Sequence, residues 1–336
     1  MSVETLAPPA ERSPRILLID TLRGVALLAM ASYHFTWDLE FFGYIEPGTA
    51  TQGLWKLYAR AIATSFLFLV GVSLVLAHGN GIRWASFQKR LGMVAGAALL
   101  ISIGTYVALP DEWIFFGILH NITVSSLIAL GFVGLPPIVP AIASLLLISG
   151  MVLDHYILPG VISFPALDPK YLAWTGFGAA IPRSNDFVPI FPWLASPLAG
   201  LAVAGFLKRA GAFPRLAGLQ AKANLLTKAG QHSLVFYLVH QPVLIGLVYL
   251  FSLVHPAPAP DPVAAYMRSC TASCVGGGNE VGMCQSFCGC TKDKLIQQSL
   301  FEPLNRREIN PATDERVQSL AMECSMSSRE VPAESK

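Results

Sequence analysis

Charge is scarce in this sequence. Asp, Glu, Lys and Arg make up 13% of the 336 residues while 53% are hydrophobic, about half the charged share of an average soluble domain. Long apolar runs take up the difference, and together they exclude an ordinary soluble globule and define a polytopic membrane protein. The net charge of +2, with no basic stripe of interleaved aromatics, gives no argument for a nucleic-acid partner. No GxSxG elbow, P-loop or GxGxxG of useful context is present, which removes several soluble-enzyme chemistries. The histidines fall in no metal-ligand spacing, so no metal is expected. All six cysteines lie beyond residue 269.

What is there is a set of seven apolar segments, at about Ile16–Phe35, Ala61–Ala77, Leu91–Leu109, Ile114–Val133, Ile138–Ile157, Val188–Leu207 and Ser233–Val254. Each is expected to be a helix, since lipid offers no partners for open backbone groups and the segments lack barrel alternation. The fold class is therefore an all-α transmembrane bundle of about seven spans. Proline and glycine in "FVPIFPWLASPLAG" (Phe187–Gly200) predict a broken helix lining a cavity. "AMA" (Ala29–Ala31) resembles a signal-peptidase site, but Asp20 and Arg23 interrupt the apolar run and the span is expected to be retained.

Short-loop charges set the orientation. With the N-terminus inside, the inner segments hold Arg12, Arg15, Arg83, Lys89, Arg90, Lys208, Arg209, Arg215, Lys222 and Lys228. The outer ones hold only Lys56, Arg60, Lys170 and Arg183. This predicts a cytoplasmic segment 1–14, a membrane domain over 15–254, and a tail over 255–336 on the periplasmic side of a bacterial inner membrane.

The tail opens on the proline-rich linker "HPAPAPDP" and continues "CTASCVGGGNEVGMCQSFCGC". Cys270/Cys274 and Cys284/Cys288 are two i, i+4 pairs, each on one helical face, around the turn signal Gly276–Asn279. Two antiparallel helices with concentric bridges Cys270–Cys288 and Cys274–Cys284 fit this spacing and leave Cys290 for Cys324. The pattern is similar to twin Cx3C hairpins of oxidising compartments. A zinc or iron–sulfur site is the rival reading, and the expected outer location favours disulfides.

Ionisable residues inside spans are costly and so are functional candidates. Arg23 and His34, in "RGVALLAMASYHF", are eleven residues apart, three turns plus about 20°, and so share a face at depths differing by roughly 16 Å. Asp20 and Arg23 form either a mutual ion pair or a cationic anchor for a phosphorylated or carboxylated group from the cytoplasm. Asp38, one turn beyond His34, would orient its imidazole as in a His–Asp dyad. His120 and Asn121 are expected at the depth of His34, with Asp186 at the edge of the broken span. His240, beside Gln241 and Pro242, is expected deeper, as a core or a substrate-binding residue. His78, His155, His232 and His255 read as interface residues.

"RILLIDTLRGVALLAMASYHFTWDL" (Arg15–Leu39) resembles the opening of the heparan-alpha-glucosaminide N-acetyltransferase catalytic-domain family, in its bacterial branch. "FFGILHNI", "DFVPIFPWLASPLAG" and "SLVFYLVHQPVL" are similar to its later motifs. The Arg23–His34 spacing is also similar to a signature of the acyltransferase 3 membrane enzymes. The resemblance implies transfer of an acyl group, with acetyl-CoA as the expected donor, to a hydroxyl or amine of a glycan or small molecule across the membrane. The chemistry of such a transfer, applied to these positions, assigns His34 as base or transient acyl carrier with Asp38 orienting it and His120 beside them as catalytic residues, Arg23 and Asp20 at the donor, and Asn121, Asp186 and His240 at the acceptor. Besides membrane lipids, the partners left open are a second copy of the chain and a periplasmic partner for the tail. A proton-coupled transporter and a membrane anchor for the tail are the competing expectations.

Overall fold

The computed structural model describes residues 15–258, 261–306, 308–311 and 313–329. The N-terminal segment 1–14, including Arg12, lies outside them. The chain divides at His255–Pro256 into two compact units. No strand occurs among the described residues.

The first unit is a helical bundle. Its main helices are α1 (Leu17–Phe41), α2 (Gly53–His78), α3 (Trp84–Ala108), α4 (Ile118–Leu130), α5 (Ile138–Val152), α6 (Ala195–Arg209), α7 (Leu225–Gln231) and α8 (Ser233–Val254). Among the described residues, five helical stretches are long and apolar enough to cross a membrane: Gly53–His78, Trp84–Ala108, Ile138–Ile157, Ile190–Arg209 and Ser233–Val254. Leu99, Leu100 and Ile103 of α3, Leu145 and Leu146 of α5 and Leu247 and Leu250 of α8 are exposed, a surface suited to acyl chains rather than water. The first apolar segment is also a long helix, 25 residues in α1, about 37 Å at 1.5 Å per residue. It carries Asp20, Arg23, Asp38 and Glu40, more charge than the other five tolerate.

The fourth segment differs from expectation. Its helix begins at Ile118 rather than Ile114 and has 13 residues, about 20 Å and too short for the hydrocarbon core alone. The missing turn is extended chain. Phe116 pairs in parallel with Phe187, and the Asn185 and Val188 amides donate to Glu112 and Phe116 carbonyls at 2.9 and 3.1 Å. The expected helix break is present. Phe191 is extended (φ −88°, ψ 132°) between Ile190 and the helix that resumes at Pro192 and runs into α6.

Glycine lets two helix pairs approach backbone to backbone. A methyl group at Gly71 of α2 would overlap the Pro197 carbonyl oxygen of α6, and one at Gly200 that of Phe68. Likewise Gly24 of α1 and Gly230 of α7 lie against the Leu226 and Asp20 carbonyls. Asn224 caps α7 through the Thr227 amide at 2.8 Å, and the Thr227 hydroxyl meets that of Thr21 at 2.7 Å. From there α8 climbs parallel to α1: the His240 ring meets His34, the Tyr249 ring meets Phe42, and the Tyr44 hydroxyl bonds the His255 carbonyl.

The second unit holds α9 (Pro262–Gly276), α10 (Val281–Gln297) and α11 (Glu315–Arg329). The disulfides are Cys270–Cys288, Cys274–Cys284 and Cys290–Cys324, with Cα separations of 5.9, 5.7 and 5.7 Å, as the concentric arrangement requires. The turn between α9 and α10 uses Gly278 at φ +87°, where a side chain would be strained. Leu295, Leu300, Phe301, Val317 and Leu320 form its buried core.

Candidate functional site

The parallel run of α1 and α8 brings four polar side chains together. The His34 and His240 rings lie edge to face, 5.0 Å between centroids. One turn above His34, the fully buried Asp38 accepts a hydrogen bond at Oδ1 from Gln241 Nε2 at 2.6 Å. His240 Nδ1 lies 2.7 Å from the Tyr237 carbonyl oxygen.

These bonds fix the chemistry of the free atoms. A carbonyl only accepts, so His240 Nδ1 carries the proton and Nε2 of the neutral ring presents a lone pair. A carboxylate only accepts, so Gln241 offers Asp38 its amide nitrogen and keeps its oxygen free. Asp38 Oδ2, His240 Nε2 and Gln241 Oε1 are the buried side-chain polar atoms left without partners among the described residues. Nearly all buried polar groups are paired in folded proteins, so three orphans in one cluster mark a ligand position. All three are acceptors.

Two expected relations differ here. Asp38 bonds Gln241 rather than His34. His240 stands level with His34 rather than deeper, because α7 occupies the first turns beside Asp20 and Gly24 and raises the start of α8.

His120, Asn121 and Asp186 form a separate set. His120 at the third position of α4 reaches back to the Gly117 amide through Nδ1 at 3.2 Å, as a capping-box side chain does, and its Nε2 meets the Ser102 hydroxyl at 3.1 Å. Asn121 is fully buried and donates to the Val188 and Pro189 carbonyls at 3.1 and 2.9 Å while accepting from Ser125 at 2.7 Å. Asp186 Oδ2 accepts the Ile118 amide at 2.9 Å, a carboxylate on a helix N-terminus. Burial pushes the Asp186 carboxyl up, and that hydrogen bond opposes the shift. Both ring nitrogens of His120 are thus committed to Gly117 and Ser102, and the Asn121 amide nitrogen to the 184–189 segment. Tyr237 links the two sets, packing with Ile118 and Val188 and lying against His240.

At the other end of α1, Asp20 receives Arg15 Nε at 2.6 Å and Arg23 Nη1 at 2.7 Å, and Arg23 also donates to Ser73. The ion pair expected from the spacing is therefore present, with Arg15 as a third member. The broken helix is not among the walls of one enclosed pocket in the bundle. That pocket lies between α2, α3 and α4, walled by His78, Phe87, Arg90, Ile122, Thr123 and Ser126 among others, with about 20 Å³ of room, the space of a water. His155 lies against Tyr156 and His255 stacks on Phe251, and His232 Nδ1 meets the Lys228 carbonyl at 3.0 Å.

Gln241 is the site member that charge-based reading passes over, since an amide has no ionisation to flag it; its place beside His240 and Pro242 was the available signal. Ser73, a hydroxyl in an apolar helix, was equally silent.

Fold and site together describe a polytopic helical membrane protein with an acceptor-lined polar cluster between its first and last long helices. The family model described as heparan-alpha-glucosaminide N-acetyltransferase, catalytic, matches residues 15–242, and the chain belongs to that family. The match takes in Asp20 through Gln241 and stops short of the cysteine-bearing unit. Comparison with curated proteins and with solved structures gives no match.

Proposed function

We propose that this protein is a membrane acetyltransferase that moves an acetyl group from acetyl-CoA to the primary amine of an amino sugar or similar glycan acceptor. The observation that carries the reading is the trio of unpartnered buried acceptors, Asp38 Oδ2, His240 Nε2 and Gln241 Oε1. A protonated primary amine brings three N–H donors and a positive charge, which matches three lone-pair atoms of which one belongs to a carboxylate. A hydroxyl brings one donor and leaves two acceptors unsatisfied.

The chemistry follows from the same atoms. His240 Nε2 takes one proton from the bound ammonium, and the freed amine lone pair attacks the thioester carbonyl. The C–N bond forms, the C–S bond breaks, and the second amine proton passes to the leaving thiolate to give CoA–SH. The imidazolium then returns its proton to solvent, so one proton is released per amide formed. The His34 ring, edge-on to His240, serves as the second carrier on this route. General-base assistance of this kind is worth about 10²–10⁴-fold.

In this reading the Arg23 end of α1 faces the cytoplasm and the donor, and the His34 end faces the acceptor. The charge bias of the loops supports that orientation. Purified protein supplied with acetyl-CoA should acetylate glucosamine at least tenfold faster than it esterifies glucose. Equal rates on the two sugars would contradict amine recognition by the trio.

A further inference from the structure

Acetylation of an ammonium at a buried cluster leaves a proton that must reach solvent. Tyr237, one turn before His240 on α8, lays its ring against the His240 ring, 5.7 Å between centroids. The same ring packs with Ile118 and Val188. Asp186 stands two residues before Val188, and its Oδ2 accepts the Ile118 amide at 2.9 Å. It is close enough to act electrostatically on the phenols of both Tyr237 and Tyr33. The Tyr33 ring in turn lies 5.6 Å from that of His34. Tyr33, His34, His240 and Tyr237 thus form a continuous run of rings, and one carboxylate acts on both of its ends.

The free atoms lie along the same run. The Tyr33 and Tyr237 hydroxyls and Asp186 Oδ1 make no hydrogen bond among the described residues, and all three residues are half-buried. The sealed unpartnered atoms are Asp38 Oδ2, His240 Nε2 and Gln241 Oε1, so these three keep contact with solvent. Unpaired polar groups in a crowded interior that solvent still reaches line a wet passage. Next to Asp186 the chain meets the surface, since Arg183 and Asn185 are exposed. Burial raises the Asp186 carboxyl, and a carboxyl nearer neutrality both takes and gives up a proton readily.

We propose that Asp186 is the proton outlet of the α1–α8 site, with the Tyr237 hydroxyl as the relay between His240 and Asp186. The proposal rests on the acetyltransferase reading. The Nε2–H bond of the His240 imidazolium breaks, and its proton passes through water at the Tyr237 hydroxyl to Asp186 Oδ1. The imidazole is restored and the carboxylate becomes a carboxylic acid, which then gives the proton to outside water. Asp186 touches no reacting atom and acts on the reaction through His240.

Full-length protein in nanodiscs tests this with Asp186→Asn, which keeps an oxygen for the Ile118 amide, and Tyr237→Phe, which keeps the ring packing. Acetylation of glucosamine is measured in light and heavy water, with sodium azide or an equal concentration of sodium chloride. Azide is a small diffusible base that carries protons where a fixed carboxylate is missing. In chloride, kcat of Asp186→Asn should fall about tenfold, less than the 10²–10⁴-fold expected for loss of the base itself, with the glucosamine KM unchanged. Tyr237→Phe should fall about threefold. Azide should bring both variants back to within about twofold of the wild type, and their solvent isotope effects in chloride should exceed its own. A purely structural role would respond to neither. Variants that stay slow in azide, that turn over as the wild type without it, or that change KM alone would overturn the outlet and leave the acetyltransferase reading standing. A wild type that acetylates no amine would remove both. Should Asp186→Asn fail to fold, Tyr237→Phe decides alone.

Discussion

At the residue scale, the account turns on which atoms are left over. Asp38 and Gln241 hold each other across α1 and α8 at 2.6 Å, and the oxygens facing away from that bond are free. Replacing Asp38 by Asn removes the charge that holds an ammonium, and a hydrogen bond to a charged group contributes about 1.5–3 kcal/mol. The acceptor KM of Asp38→Asn should therefore rise by about 10- to 100-fold, with a smaller change in kcat; an unaltered KM for glucosamine would take Asp38 out of the acceptor site. His34, Asp38 and His240 were all legible in the sequence, because an ionisable group in an apolar run is conspicuous. The grouping of His240 and Gln241 with the first two was not. Depth read from segment ends assumes that each apolar segment starts at the membrane face, and α7 breaks that assumption. His120 and Asn121 were legible as polar residues but not as props for extended chain, since their partners at residues 117 and 188–189 are backbone groups that leave no mark in composition.

Among the elements, most of the architecture was readable from hydropathy, and the departures come from backbone pairing. Long apolar helices and the proline break near Phe191 appear where expected, whereas Ile114–Gly117 is extended because its carbonyl at Phe116 is claimed by Val188. The close contact of α1 and α7 depends on Gly230, whose missing side chain leaves room for the Asp20 carbonyl. Gly230→Ala forces those backbones apart and should cost about 1–3 kcal/mol, read as a lower melting midpoint in detergent with the α1–α8 site loosened in parallel. In the second unit, Asp314 stands before α11 and bonds the Arg316 side chain and the Arg316 and Val317 amides. Those partners, the Arg316 side chain foremost, hold its carboxyl down at about 2, below the usual value near 3.9. A depressed carboxyl stabilises the fold above the unfolded value and loses that contribution as pH falls through the folded one. Hydrogen exchange at the start of α11 should thus speed up between about pH 4 and pH 2, after correction for intrinsic rates, and Asp314→Asn should abolish the pH dependence.

On the scale of the whole molecule, the chain joins a membrane bundle to a separately folded unit stapled by three disulfides. Cysteine spacing made the staples legible: two i, i+4 pairs around a glycine turn restrict the pairing, and the remaining two cysteines have only each other. The bias of loop charges is what the sequence offers on which way the bundle conducts its chemistry. The proposed direction adds to it the acceptor-only cluster by His240, which lies toward the far end of α1 from Arg23. If the two ends serve an acetyl donor and an amine, transfer should be vectorial. The most direct measurement uses sealed proteoliposomes with the Arg23 end facing outward, glucosamine trapped inside and labelled acetyl-CoA added outside. Wild-type protein should build up labelled N-acetylglucosamine in the lumen, and His240→Ala, correctly folded, should do so about 10²–10⁴-fold more slowly. Lumenal product formed at the wild-type rate by His240→Ala would contradict the account.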